Sequence, residues 1–224
     1  MIVLAAHGTR DPAGARVIEA LAARVQGETG VPVRVAYADV RQPDVTTVLR
    51  CVPEPAVVIP AFLSPGYHVC TDIPAQIEAS GHRDTVLTAA FGPAPELIEA
   101  ARDRLHRAGY RRGDAVVLAA AGSGDPRALV EVRSAASALS AALRVPVRVG
   151  YAATARPSVA DAVALARGRG RRVAVASWLL APGLFQRRLD AAGADVVAEP
   201  LGAHPGVADL VLTRYRRAVR LVAA

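Results

Sequence analysis

Two of the five histidines in this 224-residue chain follow apolar runs and sit among turn-forming residues. His7 stands in Leu4-Ala5-Ala6-His7-Gly8-Thr9-Arg10-Asp11-Pro12, and His68 in Phe62-Leu63-Ser64-Pro65-Gly66-Tyr67-His68-Val69. Imidazole binds borderline divalent ions such as Co2+, Fe2+ and Ni2+, and because it titrates near neutrality it can also accept a proton. A pair of imidazoles, rather than a closed set of four ligands, would hold an ion while leaving positions open for another molecule. His7 and His68 are therefore the candidate metal ligands and the candidate catalytic residues. Arg10 can meet a carboxylate through its planar fork or pair with Asp11. Thr9 and Gly8 permit a tight turn that turns backbone N–H groups toward an anion. Asp39 is either a turn aspartate or a carboxylate partner for metal or proton. Asp11, before Pro12, reads as a helix N-cap. Cys70 is either a small buried thiol or a helper in metal capture. His82 and His106 lie in polar settings without such company, and His204 reads as a cap for the last helix.

Short apolar runs alternating with helical periodicity must position these residues. Strands read as Ile2–Ala6, Val33–Ala38, Ala56–Phe62 and Thr85–Ala89, with helices starting at Pro12 and over Pro43–Cys51, Pro74–Ser80 and Pro95–Ala108. Strands apolar on both faces and separated by helices predict a parallel, doubly wound sheet. In an order 2-1-3-4, ligands bind beyond the carboxyl ends of strands one and three, where strand order reverses. His7 and His68 follow those two strands, and neighbouring strands are about 4.8 Å apart, so both rings can reach one ion.

The pattern then repeats. His7-Gly8-Thr9-Arg10-Asp11-Pro12 returns as Ala121-Gly122-Ser123-Gly124-Asp125-Pro126. Val31–Tyr37 returns as Val145–Tyr151, and Leu63-Ser64-Pro65-Gly66 as Leu180-Ala181-Pro182-Gly183. Ordered matches at nearly constant spacing indicate duplication of one unit. The expected architecture is two tandem four-stranded parallel-sheet α/β domains, residues 1–112 and 113–224, joined near Gly109–Gly113. The second copy should carry strands Ala115–Ala120, Val147–Ala152, Arg172–Trp178 and Asp195–Ala198, and a last helix near Gly206–Val219. His7 becomes Ala121 and His68 becomes Phe185, so both imidazoles are missing together from the second copy.

Composition narrows the function classes. With 52% hydrophobic and 21% charged residues the chain can build a core, which excludes general disorder. The apolar start meets His7 at once and has no basic segment before it, so it reads as a buried strand rather than a signal peptide. No apolar run has the roughly 20 residues of a membrane span. Cys51 and Cys70 form no CxxC motif, which argues against a disulfide framework or structural zinc and for a reducing cytoplasm. The net charge of +7 falls entirely after residue 113. Such a basic half attracts either nucleic acid or an acidic small molecule, but aromatics are only 4%, without basic-aromatic interleaving, so nucleic acid is not the expected partner.

The segments around His7 and His68, together with Asp72-Ile73-Pro74, closely resemble the sirohydrochlorin chelatases, which insert a divalent metal into a tetrapyrrole without ATP. The resemblance extends over the whole chain, duplication included. It implies two chelatase-type domains facing each other across an active cleft that holds the macrocycle, with His7 and His68 binding the incoming metal. It implies Co2+ or Fe2+ as metal substrate, no organic cofactor, and a place in siroheme or cobalamin biosynthesis. The single-chain form resembles a fused homodimer with one active half, so a monomer, with at most weak pairing, is expected. Cys70 departs from the family pattern, in which a basic residue is common there. The polycarboxylated substrate suits the basic second half. Two other readings use the same residues: a metal or tetrapyrrole carrier without turnover, and a phosphatase with His7 as nucleophile and Arg10 as phosphate clamp. Histidine phosphatases present Arg-His-Gly, whereas here glycine and arginine both follow His7.

Overall fold

Every residue of β1 (Ile2–Ala6) and of β3 (Ala56–Pro60) is buried, as strands covered by helices on both faces require. The computed structural model describes residues 1–168 and 170–222. In it β1 pairs in parallel with β2 (Val33–Tyr37) on one side and with β3 on the other, and β3 pairs with β4 (Thr85–Leu87). The order is β2-β1-β3-β4, as expected. Between β1 and β2 runs α1 (Pro12–Thr29), which buries Ile18, Leu21, Ala22 and Val25 at helical spacing. Asp11 caps it, its carboxylate accepting from the Ala13 N–H, with Pro12 in the first turn. On the opposite face, α2 (Val45–Arg50) and α3 (Ile73–Ser80) place Val45, Val48, Leu49 and Ile73 against Val3, Ala5 and Val58. β1 ends where expected, whereas β2, β3 and β4 stop one or two residues short of their expected ends. Pro60, the last residue of β3, has no N–H to donate, although the Ala61 N–H beyond it still donates to the Ala5 carbonyl.

The second sheet repeats the first. β5 (Ala115–Ala120), β6 (Val147–Tyr151), β7 (Val173–Trp178) and β8 (Val196–Val197) are parallel in the order β6-β5-β7-β8. With them come α5 (Pro126–Leu143), α6 (Val159–Arg167) and α7 (Leu184–Asp190). Among the described residues no helix is long and apolar enough to cross a membrane.

The remaining helices make the compact units differ from the two sequence repeats. One compact unit is Met1–Gly92 with Ala203–Ala224, and the other is Pro93–Gly202. Helix α4 (Pro95–Arg107) follows β4 in the chain but packs on β7 and α5, whereas α8 (Pro205–Val222) follows β8 and packs on β3 and α1. Each sheet is thus finished by the helix that the sequence repeat assigns to the other. An arginine secures each exchange. Arg214 of α8 donates through Nη2 to the carbonyls of Ala90 and Phe91, both at 3.1 Å. Arg104 of α4 donates to Glu199 and to the carbonyl of Leu201. Sequence repetition marks the duplicated segment; docking of an apolar helix face onto a sheet decides the unit.

One contact shared by both units sets the loop after the first strand. Gly8 has φ +93, and a Cβ there would lie 2.2 Å from the Asp39 carbonyl oxygen. Gly122 has φ +96, and a Cβ there would lie 1.9 Å from the Ala153 carbonyl oxygen. Only glycine allows both the dihedral and the approach.

Arg214→Ala leaves two carbonyls without their charged donor and should cost about 1–3 kcal/mol of stability, read from urea unfolding. Gly122→Ala, which combines positive-φ strain with a backbone collision, should destabilise by at least about 2 kcal/mol in the same assay. A loss below about 0.5 kcal/mol, the range of neutral surface changes, would show that the loop yields freely.

Candidate metal centre

His7 is the first residue beyond β1, and its backbone is held as firmly as the strand. Its carbonyl accepts from the Asp39 N–H (3.1 Å), one step beyond the Ala6–Ala38 bond (2.8 Å). After the Gly8 turn, the Thr9 hydroxyl accepts from the Asp11 N–H at 3.1 Å, and Asp11 caps α1. The Arg41 guanidinium donates to the Thr9 carbonyl (3.2 Å) from a position over the Tyr37 ring. The loop backbone is hydrogen-bonded to its neighbours; the His7 ring itself is exposed, with Nδ1 at 3.0 Å from the Gly8 carbonyl oxygen.

His68 lies not in a loop but at the start of a helix. Residues His68–Asp72 form a single π-turn that runs directly into α3, closed by the Ile73 N–H donating to the His68 carbonyl. The sequence reading began this helix at Pro74. Proline cannot donate back along an α-type ladder and its ring crowds the preceding turn, so a widened turn ahead of it is the accommodating geometry. The helical start has a consequence. His68 and Asp72 stand one turn apart on one side, with His68 Nδ1 at 2.5 Å from Asp72 Oδ2.

The fold brings the two histidines together. Their ring centroids are 4.5 Å apart with planes at 81°, flanked by Phe62 at 6.2 Å from each and by Tyr67 at 6.0 Å from His68. Two imidazoles so placed, one exposed and one half-buried, can share a divalent ion that remains open to solution. Among the described residues no set of three His, Cys, Asp or Glu side chains could enclose a metal.

The other singled-out residues divide by what already engages them. Arg10 is exposed and makes no hydrogen bond or ion pair among the described residues, so the pairing with Asp11 is not formed. The Thr9 hydroxyl, as an acceptor, keeps its own hydrogen to donate. The Asp39 carboxylate is exposed beside the His7 loop and accepts from the Val40 N–H at 2.7 Å. Cys70 is free and exposed, which corrects the reading of a buried thiol. His82 Nδ1 shares a hydrogen bond with the Thr85 hydroxyl, His106 rests against the Tyr110 ring, and His204 caps α8 through the Gly206 N–H. No role was read for Asp72 from the sequence, although its spacing four residues after His68 is the signal of a helical pair.

Beside the site, a pocket of about 370 Å³ is lined by Tyr37, Asp39, Arg41, Asp44 and Gln76, among others. Gln76 ties α3 to the segment after β2, donating to the Ala38 carbonyl and accepting from the Val45 N–H, both at 2.9 Å. Hydrogen bonds from Thr47 hold the Asp44 carboxyl below its ordinary range, so it is anionic at neutral pH.

The second copy keeps the scaffold and lacks the candidate site residues. Gly122 and Ser123 preserve the turn, with the Ser123 hydroxyl accepting from the Asp125 N–H. At the positions of His7, Asp39, Arg41, His68 and Asp72 stand Ala121, Ala153, Ala155, Phe185 and Leu189.

Comparison with known proteins gives a consistent picture. The family model described as CbiX matches residues 1–108 and again residues 115–218. A curated protein of Methanothermobacter thermautotrophicus named sirohydrochlorin cobaltochelatase is 28% identical over 130 residues, covering 48% of this chain and 91% of that protein. SirB from Bacillus subtilis, solved with Fe3+, superposes with a TM-score of 0.82 at 22% identity, over 97% of this chain and 94% of that one. CbiX, described as the terminal enzyme for biosynthesis of siroheme in denitrifying bacteria, has a TM-score of 0.73 at 24% identity, over 97% and 98% of the two chains. At these identities the structural likeness is one of fold. The family match, in contrast, is made by sequence, twice, and over nearly the whole length: this chain belongs to the CbiX family.

Proposed function

We propose that this protein is a chelatase that inserts Co2+ or Fe2+ into sirohydrochlorin, with the metal as substrate and no organic cofactor. The observation that carries the reading is the 4.5 Å approach of the His7 and His68 rings beyond the strands where the sheet order reverses. Support comes from the name of the archaeal relative, a sirohydrochlorin cobaltochelatase, and from the Fe3+ found with the Bacillus subtilis SirB structure.

In this reading the two imidazoles hold the ion by one nitrogen each. The remaining positions are free for the pyrrole nitrogens, which replace the imidazoles as the metal passes into the ring. A tighter protein cage would oppose this transfer. Two pyrrole protons leave as M2+ enters: Asp39, exposed at the end of the His7–Asp39 backbone contact, accepts one, and an imidazole released by the ion accepts the other. Its replacement by Ala153 in the copy without histidines fits this role, since the backbone of the turn survives the change. Arg10, without a partner among the described residues, meets a carboxylate of the macrocycle, and the Thr9 hydroxyl donates to the same group. The free, exposed Cys51 and Cys70 suit a reducing cytoplasm.

A carrier with the same ligands would stop after one equivalent. Absorbance of sirohydrochlorin mixed with Co2+ in excess over the protein tests the difference. The wild type should turn over many times, and His7→Ala or His68→Ala should each slow insertion by roughly 100-fold or more. Rates equal to wild type in both variants would remove the proposal. Asp39→Ala should lower turnover by at least about tenfold while Co2+ affinity, measured by calorimetry, stays within about threefold; a parallel fall in both would make Asp39 a ligand instead.

A further inference from the structure

Asp72 has one unexplained contact. Its carboxylate caps nothing: no side-chain capping bond is made at the start of α3, and the Oδ2–Nδ1 contact with His68 is its only hydrogen bond or ion pair among the described residues. The two side chains are 26% and 25% exposed, so the pair is neither a solvated surface bridge nor a buried one. An ionised carboxylate can only accept, so the ring nitrogen facing it must carry hydrogen. In a neutral imidazole the proton is then on Nδ1 and the lone pair on Nε2.

We propose that Asp72 is a positioning residue that makes His68 a metal ligand, by holding its ring in the Nδ1–H tautomer with Nε2 unprotonated. This rests on the metal-insertion reading above. Free histidine favours the opposite tautomer, in which Nε2 bears the proton and cannot bind a metal. His7 has a weaker counterpart of the same device in the Gly8 carbonyl, at 3.0 Å from its Nδ1. The pair is therefore unequal: His68 is oriented by a charged acceptor at 2.5 Å and His7 by a neutral one. The duplicate supplies an independent observation. Where His68 is replaced by Phe185, Asp72 is replaced by Leu189, whose side chain is fully buried in the second core. A carboxylate serving the helix alone would have no reason to vanish with the imidazole.

The test uses the full-length protein. Long-range 1H–15N NMR of the metal-free wild type should show His68 protonated on Nδ1, and Asp72→Ala should shift it toward Nε2–H. Calorimetric titration with Co2+ should show Asp72→Ala binding roughly 10- to 100-fold more weakly, with Asp72→Asn in between because its carbonyl oxygen still accepts from Nδ1. A wild-type His68 ring protonated on Nε2 overturns the assignment, even if Asp72→Ala does not fold. So does wild-type Co2+ affinity in a folded Asp72→Ala while His7→Ala and His68→Ala lose binding. If those two histidine variants themselves bind Co2+ like wild type, the metal-insertion reading falls, and this assignment with it.

Discussion

The ladder that seats β1 between β2 and β3 is the constraint on which the candidate site depends. Parallel strands end on the same side, so the residues following them collect along one edge of the sheet. His7 follows β1 at once, and the chain leaving β3 returns His68 beside it. The ring separation of 4.5 Å is close to one inter-strand spacing, as adjacency in the sheet predicts. A different strand order would keep every local element and lose the pair.

Around that edge the backbone is hydrogen-bonded to neighbouring segments, while the His7 ring is exposed and the His68 ring half-buried. The Gly8–Asp39 approach, the Thr9 turn, the Asp11 cap and the Arg41 bond lock the His7 loop to the next connection. Gln76 locks α3, which carries the π-turn of His68, to that same connection. The protein thus spends its hydrogen bonds on holding two imidazoles in place, not on enclosing an ion. That division fits the proposed insertion, in which a metal is passed on to another ligand: capture needs fixed geometry, and release needs few ligands.

The second copy separates scaffold from chemistry. Its sheet order, its first-strand glycine and its hydroxyl-bearing turn are retained, whereas the positions of both histidines and of Asp39, Arg41 and Asp72 hold alanine, phenylalanine or leucine. What both copies share is what the fold needs. Among the described residues, the first copy alone carries the two converging imidazoles. The exchange of α4 and α8 shows that the copies are not independent lengths of chain, since each sheet buries its face under a helix from the other repeat.

The strand and helix alternation, the parallel order, the duplication, the Asp11 and His204 caps and the meeting of His7 and His68 at one sheet edge were all legible in the sequence. They follow from local rules: apolar periodicity, the residues that can begin a helix, and the scarcity of imidazoles at strand ends. Three things were settled only by tertiary structure. The π-turn that lifts His68 out of a loop and onto Asp72 depends on how the turn before Pro74 widens, which one-dimensional periodicity does not encode. The exposure of Cys70 follows from the face that this turn presents. The crossing of α4 and α8 reflects a choice between two similar sheets, each able to bury the same helix face, and only the free energy of packing distinguishes them.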